Sequence, residues 1–367
     1  MAPTELRNQI LAEARALGFA RVGIAALEEL PRRAFFDNWL AEGRAGDMRF
    51  LEHHKKARLD PRRRFPWART ILSATLPYPA PGPAPFDWRS EMRGRIAAYA
   101  LGRDYHLVIT EKLAALAERI QALAPTAETR AYVDTGAVFE HEWAQRSGVG
   151  WTGKHTLTLS RSGGSWNFLC ELFTSLELEP DTPASDHCGT CTRCIEICPT
   201  QAIRSAFDLD PRRCISYLTI EHEGAIPREL RADLGEWLFG CDLCQEPCPW
   251  NAPGDHHGEL HPRLDELLRM GEAEFRARFA DTPLERTGLA RLQRNAAIVA
   301  GNTGNPEMLA ALSHGCSSPF PLVRGHVAWA LGRIDGAAAE RRHLLDALSG
   351  DPDPEVVHEA RTSREET

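Results

Sequence analysis

Four cysteines near the middle of the chain have the spacing of thiolate ligands. The stretch CGTCTRCIEICPTQAI carries them as C-x2-C-x2-C-x3-C, with a proline after the last: Cys188, Cys191, Cys194, Cys198 and Pro199. Three thiolates on one short loop can reach three irons of a 4Fe–4S cube, whereas the fourth, ahead of a proline, points towards another cube. The run therefore predicts two clusters and requires a partner motif.

The partner motif lies further along the chain. CDLCQEPCPW supplies three cysteines, again with a proline after the last, and Cys214 in RRCISYL replaces the missing first cysteine. The crossover typical of two-cluster ferredoxins then divides the eight thiolates into two sets. Cluster one takes Cys188, Cys191, Cys194 and Cys248, and cluster two takes Cys198, Cys214, Cys241 and Cys244.

Eight cysteines would also suit two tetrahedral zinc sites, which is the structural alternative. The two Cys-Pro endings and the C-x2-C-x2-C-x3-C run favour iron–sulfur. The other two of the ten cysteines, Cys170 and Cys316, are isolated in apolar contexts and are interpreted as core thiols. The sequence shows no export signal and no apolar run of ~20 residues, so we expect a cytoplasmic protein without a membrane partner. In a reducing cytosol, a cysteine-dense stretch more often binds metal than forms disulfides.

Clusters of this type carry single electrons, so another part of the chain should use them. In VDTGAVFE, Asp134 ends a strand and enters a turn, where a carboxylate can exchange a proton at a site mouth or simply cap the turn. GVGWTGK is glycine-rich and carries Lys154, but it lacks the spacing of a phosphate loop. GRDYH places Tyr105 and His106 at the start of a helix, where capping or core roles are the usual ones. The corrinoid motif D-x-H-x-x-G is absent because Ile109 occupies the glycine position, so spacing alone predicts no corrinoid.

The elements that must position these residues belong to three predicted domains. A chain of 367 residues is too long for one ordinary core. Residues 1–180 mix helices and strands and predict an α+β or α/β domain, with a helix over 106–123 and a strand at 129–136. The segments 156–160 and 165–172 are expected to pair as a hairpin. Residues 181–255 form the cysteine-rich, ferredoxin-like module, in which Leu230, Leu234, Trp237 and Leu238 suggest a helix that ends at Gly240.

Residues 256–367 are predicted to be helical, with an approximate internal repeat. The segments 292–312 and 322–348 share a basic residue, small residues and a glycine near the helix end, which is typical of HEAT-like repeats. An ordinary helical tail is the alternative. The net charge of −8 argues against nucleic acid when taken alone. A basic face is still possible, and KKARLDPRRR at 55–64 is strongly basic.

The whole set of motifs, in order along nearly the entire chain, resembles the epoxyqueuosine reductase family. The resemblance is carried by GRDYH, VDTGAVFE, GVGWTGK, CGTCTRCIEICPTQAI, RRCISYLTIE, CDLCQEPCPWN, QRNAAI and VRGHVAWALGRI. It implies an oxidoreductase that reduces epoxyqueuosine to queuosine at wobble position 34 of the tRNAs for Asp, Asn, His and Tyr, the last step of queuosine biosynthesis. It also implies a catalytic core similar to that of reductive dehalogenases and a HEAT-like tail that binds tRNA.

The resemblance further implies a cobalamin next to two 4Fe–4S clusters, bound as cob(II)alamin without a protein ligand below the cobalt and reduced to cob(I)alamin. Asp134 matches the family's proton donor, for which we expect a pKa raised by burial. Tyr105, Lys154, Ser216 and Asp242 match segments that line the corrin. Relatives with a cysteine just before GRDYH differ from this chain, which has Ala97 and Ala98 there.

The resemblance also sets expectations about partners. These are a tRNA with a GUN anticodon, an electron donor of the ferredoxin or flavodoxin type, and a monomeric protein. Independently of the resemblance, four arginines recur near corresponding positions of the two repeat copies: Arg291, Arg294, Arg324 and Arg333. They are expected to lie on one face and contact the tRNA, with solvated surface arginines as the alternative.

Two other functions remain open on the sequence. An electron-transfer module would need no long first domain. A corrinoid reductase acting on a small molecule, of the dehalogenase type, would need no helical tail.

Overall fold

The computed structural model describes residues 2–83, 86–255 and 260–366. Residues 2–180 alternate helices and strands around one sheet. The helices are α1 (Pro3–Ala16), α2 (Arg33–Ala41), α3 (Lys55–Leu59), α4 (Tyr105–Leu123) and α5 (Glu140–Arg146). The strands are β1 (Arg21–Ala26), β2 (Thr70–Pro77), β3 (Arg95–Ile96), β4 (Thr129–Tyr132), β5 (Trp151–Thr152), β6 (Thr158–Leu159) and β7 (Asn167–Thr174).

The central sheet is antiparallel throughout, in the order β1–β2–β7–β4, which supports the α+β alternative. One face packs against α1 and α4, whose apolar residues repeat at helical spacing and are buried as predicted at Ile109, Leu113, Leu116 and Ile120. The other face packs against Trp143 of α5 and the segment before β2. The sheet is therefore covered on both faces, and β4 delivers Asp134 to its edge.

The predicted hairpin between 156–160 and 165–172 is wrong. Strand β6 pairs with β5, whereas β7 lies between β2 and β4. Only the bridge between Ser160 and Gly164 closes the expected turn. Strand β7 has eight residues, is largely buried and pairs with β2 and β4. The local pattern of apolar residues therefore does not predict which strands it pairs with.

The cysteine-rich module contains short elements between its ligand loops. These are α6 (Arg193–Glu196), β8 (Ile203–Ser205), β9 (Asp208–Leu209), α7 (Ile215–Ile220), α8 (Arg228–Arg231) and β10 (Trp237–Phe239). The helix predicted through Leu238 is also wrong, because α8 ends early and β10 instead pairs in parallel with β3. Gly240 does adopt the predicted left-handed conformation, with φ of 70°.

The C-terminal region is helical, as predicted. Its helices are α9 (Leu264–Arg269), α10 (Glu272–Phe279), α11 (Leu289–Thr303), α12 (Leu309–Gly315), α13 (Pro321–Leu331), α14 (Ala338–Leu348) and α15 (Pro354–Glu365). One hydrophobic core joins these helices to residues 215–239 of the cysteine-rich module. The predicted domain boundary at 255 lies next to residues 256–259, which are outside the described ranges. The segments before and after this boundary share one hydrophobic core.

Within the described ranges, the structure contains no helix that is long and apolar enough to span a membrane.

Candidate functional site

Asp134 follows β4 and occupies a strained position for a residue with a side chain, with φ of 56°. Its carboxylate borders two cavities described below, so 57% of the side chain is exposed although the protein surrounds the site and partly desolvates the carboxyl. The hydroxyl of Tyr105 donates a hydrogen bond of 2.5 Å to Oδ2 of Asp134. His106 Nε2 lies 3.5 Å from the same oxygen. The carboxylate is thus held between two side chains from the first turn of α4.

The first turn of α4 is fixed by its own capping residue. Asp104 is the N-cap, and its carboxylate accepts a hydrogen bond of 3.0 Å from the backbone N–H of His106. The same carboxylate lies 2.9 Å from His106 Nδ1 and forms an ion pair with Arg286, which comes from the C-terminal region. The ring of Tyr105 stacks on Phe168 of β7 at 4.4 Å. The tail, the helix and the sheet therefore all orient the two groups that hold Asp134.

The expectation of a raised pKa for Asp134 is wrong. Burial acts to raise the pKa of this carboxyl, but hydrogen bonds from His106 and Tyr105, with the positive charges of His106 and Arg286, hold it below its ordinary value. The pKa of His106 shifts the other way: burial acts to lower it, and hydrogen bonds to Asp134 and Asp104 raise it overall. Near neutral pH Asp134 is therefore charged, and His106 keeps its proton to a higher pH than an ordinary histidine does.

A cavity of about 380 Å³ lies beside Asp134; we call it the large cavity because it is the larger of the two that are lined by a group of four cysteines. Aromatic and aliphatic side chains form much of its wall, including Tyr78, Tyr99, Phe168 and Leu169. The thiols of Cys198, Cys214, Cys241 and Cys244, which the sequence assigns to cluster two, all lie on this wall. The four cysteines assigned to cluster one, Cys188, Cys191, Cys194 and Cys248, line a separate small cavity. The structure thus divides the eight thiols into the two groups that the crossover predicts.

The thiols surround spaces instead of converging on one point. Across the described parts of the chain, no three or more His, Cys, Asp or Glu side chains are placed to hold a single metal ion. Cys170 is fully buried in the core of the N-terminal region, and Cys316 packs against the core of the helical tail. Both therefore lie apart from the two cysteine groups.

The other predicted cofactor residues are divided between the cavities. Ser216 and Asp242 line the large cavity, as does Tyr105. Asp242 is buried and accepts a hydrogen bond of 2.7 Å from the backbone N–H of Ala98, so one carboxylate oxygen orders the segment before α4. Lys154 lies away from the large cavity: its Nζ donates to the carbonyls of Gly189 at 2.6 Å and Cys191 at 2.9 Å. The structure therefore brings Lys154 to the first cysteine loop and not to the wall beside Asp134.

A second cavity of about 810 Å³, which we call the open cavity because exposed residues such as Phe50 and Arg64 line it, meets the first at Tyr99, Tyr105, Asp134, Leu209, Cys214 and Ser216. Its outer wall is rich in cationic and imidazole side chains, namely His53, His54, Arg58, Arg64, His106, Arg286 and Arg291. Asp134 therefore stands where a thiol-lined space and a basic, open space meet.

The predicted tRNA role of the repeat arginines is wrong for two of them. Arg294 is fully buried and donates to the carbonyls of Leu218, His222 and Gly224. Arg324 forms a two-point ion pair of 2.7 and 2.8 Å with Asp351. The guanidinium of Arg294 thus joins α11 to the cysteine-rich module, and that of Arg324 forms an ion pair within the tail, so both are occupied by contacts inside the protein.

The other two repeat arginines differ from this pair. Arg291 is half-buried and binds the carbonyls of Ile220 and Glu221 while bordering the open cavity. Arg333 is exposed and stacks over Trp329. The four arginines therefore do not form one continuous binding face.

Several residues of the site carry no sequence signal for a functional role. The GRDYH motif indicates only a capping or core role for His106, although the ring of this residue lies between Asp104 and Asp134. Glu140 and His141, on the first turn of α5, line the large cavity and follow the VDTGAVF segment directly. No local signal could have indicated Arg286, because the tail brings it to α4.

Three family models match parts of the chain. "Epoxyqueuosine reductase QueG, DUF1730" matches residues 58–135, which include the segment that ends at Asp134 and Thr135. "4Fe-4S double cluster binding domain" matches residues 187–251, and "HEAT repeats" matches residues 284–363. These matches include Asp134, all eight cysteines of the two groups and most of the helical tail.

Whole proteins match over most of the chain. The epoxyqueuosine reductase of Xanthomonas campestris is 43% identical over 344 residues, which are 90% of this chain and 97% of that protein. A crystal structure of epoxyqueuosine reductase with an epoxyqueuosine-modified tRNA-Tyr stem loop superposes with a TM-score of 0.91 at 30% identity, covering 100% of this chain and 99% of the other. The enzyme from Bacillus subtilis, with its catalytic aspartate loop swung out of the active site, gives a TM-score of 0.89 at 30% identity over 100% of both chains. With the double-cluster module, the HEAT repeats and the aspartate between two cavities, these matches show that the chain belongs to the epoxyqueuosine reductase family.

Proposed function

We propose that this protein reduces epoxyqueuosine to queuosine at the wobble position of the tRNAs for Asp, Asn, His and Tyr, as the last step of queuosine biosynthesis. The observation that carries the proposal is the position of Asp134, between a cavity lined by four thiols and a basic cavity open to the outside. Electrons would arrive from one side and the modified nucleoside from the other. The solved relative with an epoxyqueuosine-modified tRNA stem loop supports tRNA as the substrate.

The electrons would reach the large cavity through two 4Fe–4S clusters. We assign one cluster to Cys188, Cys191, Cys194 and Cys248, and the other to Cys198, Cys214, Cys241 and Cys244. The second group lines the same cavity as Asp134, whereas the first group lines a separate one, so the second cluster would deliver the electrons. Lys154, through the carbonyls of Gly189 and Cys191, would order the loop of the first cluster.

The large cavity suits a cobalamin in its composition. Its walls combine aromatic and aliphatic side chains with a few polar groups, among them Tyr105, Ser216 and Asp242, and it borders both the thiols and Asp134. When bound there without a protein ligand below the cobalt, cobalamin would supply low-potential electrons, as cob(I)alamin, to the epoxide. The residues of this chain would orient it, exclude water and provide the proton.

The proton would pass through Asp134. Converting the epoxide to the alkene of queuosine consumes two electrons and two protons and releases the oxygen as water. Asp134 faces the cavity, so its carboxyl is the group able to reach that oxygen, but its lowered pKa leaves it charged near neutral pH. His106, whose pKa is raised and whose Nε2 lies 3.5 Å from Oδ2, would protonate Asp134 for each delivery. Asp134 is thus the catalytic acid, and His106 is the group that supplies it.

Access to this site would depend on the loop that carries Asp134. The relative from Bacillus subtilis has its catalytic aspartate loop swung out of the active site. We propose that the corresponding loop here, residues 133–139, also opens to admit the nucleoside and closes for the reaction.

The other parts keep the roles expected from the sequence. We propose that residues 1–180 bind cobalamin, that 181–255 carry the clusters and that 256–367 support the tRNA. For the tRNA contacts, the exposed Arg64 and the histidines beside it replace Arg294 and Arg324 as the leading candidates. A cytoplasmic monomer supplied by a ferredoxin or flavodoxin remains the expected context.

The proposal is tested by conversion of an epoxyqueuosine-modified tRNA stem loop. The protein, loaded with both cofactors under anaerobic conditions, would be reduced chemically and mixed with the stem loop, and the nucleosides would be identified by mass spectrometry. We expect queuosine, which has one oxygen atom fewer. A protein with full iron and corrinoid spectra that leaves the nucleoside unchanged would contradict the proposal.

A further inference from the structure

The loop of Asp134 is held at two places by side chains outside the hydrogen-bonding cluster described above. The backbone N–H of Asp134 donates a hydrogen bond of 2.6 Å to Oε1 of Glu140, the first residue of α5. On the other side of the loop, the buried guanidinium of Arg58 donates to the carbonyls of Gly136 at 3.3 Å and Val138 at 3.1 Å. A left-handed residue other than glycine costs about 1–2 kcal/mol, so such a conformation needs supporting contacts.

Glu140 has an unusual neighbour in Glu171 of β7. The side chain of Glu171 is fully buried, and neither carboxylate oxygen has a well-formed hydrogen bond. The Glu140 carboxyl is close enough to interact with it directly. Glu171 is shielded from water and Glu140 is half-buried beside it, so charging both carboxyl groups is unfavourable and the pair retains a proton.

The surroundings of the pair decide where that proton lies. The charged and titratable groups that face Glu140 are Asp134 on the loop, Glu171 on β7, His106 on α4 and Arg58 on α3. Burial and the charge of Glu140 raise the pKa of Glu171 far above its ordinary value, and no cation offsets this. Burial and the charge of Asp134 raise the pKa of Glu140 to about 7. Glu171 is therefore the acid that stays neutral, and Glu140 carries the charge when the pair loses a proton.

We propose that Glu140 is a positioning residue for the reaction: its carboxylate latches the Asp134 loop in the closed position, while the neighbouring Glu171 retains the proton that the two groups share. The inference rests on the proposed function in taking Asp134 as the catalytic acid. Glu140 acts on Asp134 through its backbone N–H and therefore sets where the acid stands. A charged acceptor makes the stronger hydrogen bond, so the latch is tight when Glu140 is ionised and weakens when it is protonated.

The pH dependence of the latch follows from this assignment. Glu140 is ionised above its pKa and protonated below it. The closed loop should therefore be favoured as the pH rises through about 7 and released more often as the pH falls through it.

The latch is tested by hydrogen exchange of the Asp134 amide, followed by mass spectrometry of peptides that cover residues 133–139. The protein is used as purified with its cofactors and without tRNA, and rates are corrected for intrinsic exchange at each pH. Glu140→Ala removes the acceptor, so protection of this amide should fall ~10-fold or more, the scale of a hydrogen bond to a charged group. Glu140→Gln keeps an acceptor oxygen but cannot ionise. Its protection should lie between those of the parent and the alanine variant and should not change between pH 6 and 8, whereas that of the parent rises.

Glu142→Ala is the matched control, because Glu142 lies on the same helix and pairs with Arg32 and Arg146 away from the loop. It should leave the protection of the Asp134 amide unchanged. In the conversion assay, Glu140→Ala should lower kcat ~10-fold or more with little change in KM, and Glu140→Gln should restore most of the rate at neutral pH.

Equal protection in the parent and both Glu140 variants would overturn the latch. If protection in the parent stays constant between pH 6 and 8, as it should in Glu140→Gln, the assignment of the retained proton to Glu171 and of the titrating charge to Glu140 would be overturned. If Glu140→Ala fails to fold, Glu140→Gln alone still tests the latch. The predicted difference is that protection of the Asp134 amide rises with pH in the parent but not in Glu140→Gln. Failure of the parent to convert epoxyqueuosine would reject the proposed function but leave the exchange result interpretable.

Discussion

The hydroxyl of Tyr105 and the carboxylate of Asp134 are joined by a hydrogen bond of 2.5 Å, although one residue begins a long helix and the other follows an edge strand. The bond stabilises the charged carboxylate, and His106 on the next position of the helix adds to this effect. Under the proposed function, these three side chains together would form the acid of the site. His106 would supply the proton and Asp134 would deliver it.

The role of His106 predicts a change in the pH profile. The proton is bound below the pKa of His106 and lost as the pH rises through it, so conversion by the parent should decline above a pH that exceeds the ordinary value of 6.5. His106→Gln removes this store and leaves the proton to Asp134 alone, so the decline should begin at a lower pH. His343→Gln, at an exposed position of α14, should not move it. A profile of His106→Gln that matches the parent would show that His106 does not supply the proton.

The crossover of the cysteines predicts selective loss of one cluster. Cys248→Ala removes a thiol from the small cavity, so the iron content should fall by about half while the cluster beside the large cavity keeps its electron paramagnetic resonance signal. Cys316→Ala, away from both groups, should retain all the iron. Loss of the signal of the cavity-side cluster in Cys248→Ala would contradict the assignment.

The basic segment offers a matched pair of arginines for the tRNA contact. Arg64 borders the open cavity and is exposed, whereas Arg62 is bound to Asp60. Arg64→Gln should weaken binding of the stem loop and reduce the slope of log K against log salt by about 0.7–0.9, the effect of one lost phosphate contact. Arg62→Gln should have a smaller effect on the slope. Equal salt slopes for the parent and Arg64→Gln would remove Arg64 from the interface.

Arg294 should behave as a structural residue. Arg294→Ala leaves the carbonyls of Leu218, His222 and Gly224 without their donor, and each unsatisfied buried group costs about 1–3 kcal/mol. The free energy of unfolding should therefore fall by at least ~2 kcal/mol, measured by denaturant titration. The salt slope of tRNA binding by the folded variant should equal that of the parent. Arg333→Ala is the exposed comparison and should change stability by less than about 0.5 kcal/mol. An Arg294→Ala variant of normal stability would contradict this role.

The features that the sequence anticipates and the structure reproduces are those set by short spacing. The two cysteine groups follow from the crossover of neighbouring motifs, and the buried face of α4 follows from its helical period. The pairing of β7 and the strand at Trp237–Phe239 could not be predicted, because their partners lie far away in the sequence. The lowered pKa of Asp134 could not be predicted for a related reason. The sequence suggests burial, which raises the pKa of a carboxyl, but not the hydrogen bonds from His106 and Tyr105 that outweigh it.

A single-turnover comparison of the parent and Asp134→Asn tests the central claim most directly. Asparagine keeps the size of the side chain and an acceptor for Tyr105 but carries no acidic proton. Both proteins would be loaded with cofactors, reduced, mixed with epoxyqueuosine-modified stem loop, and quenched at intervals for mass spectrometry of the nucleosides. We expect Asp134→Asn to retain its clusters and corrinoid and to form queuosine ~10²-fold more slowly or less, the scale of a lost general acid. Queuosine formation at the rate of the parent would contradict the assignment of Asp134 as the acid.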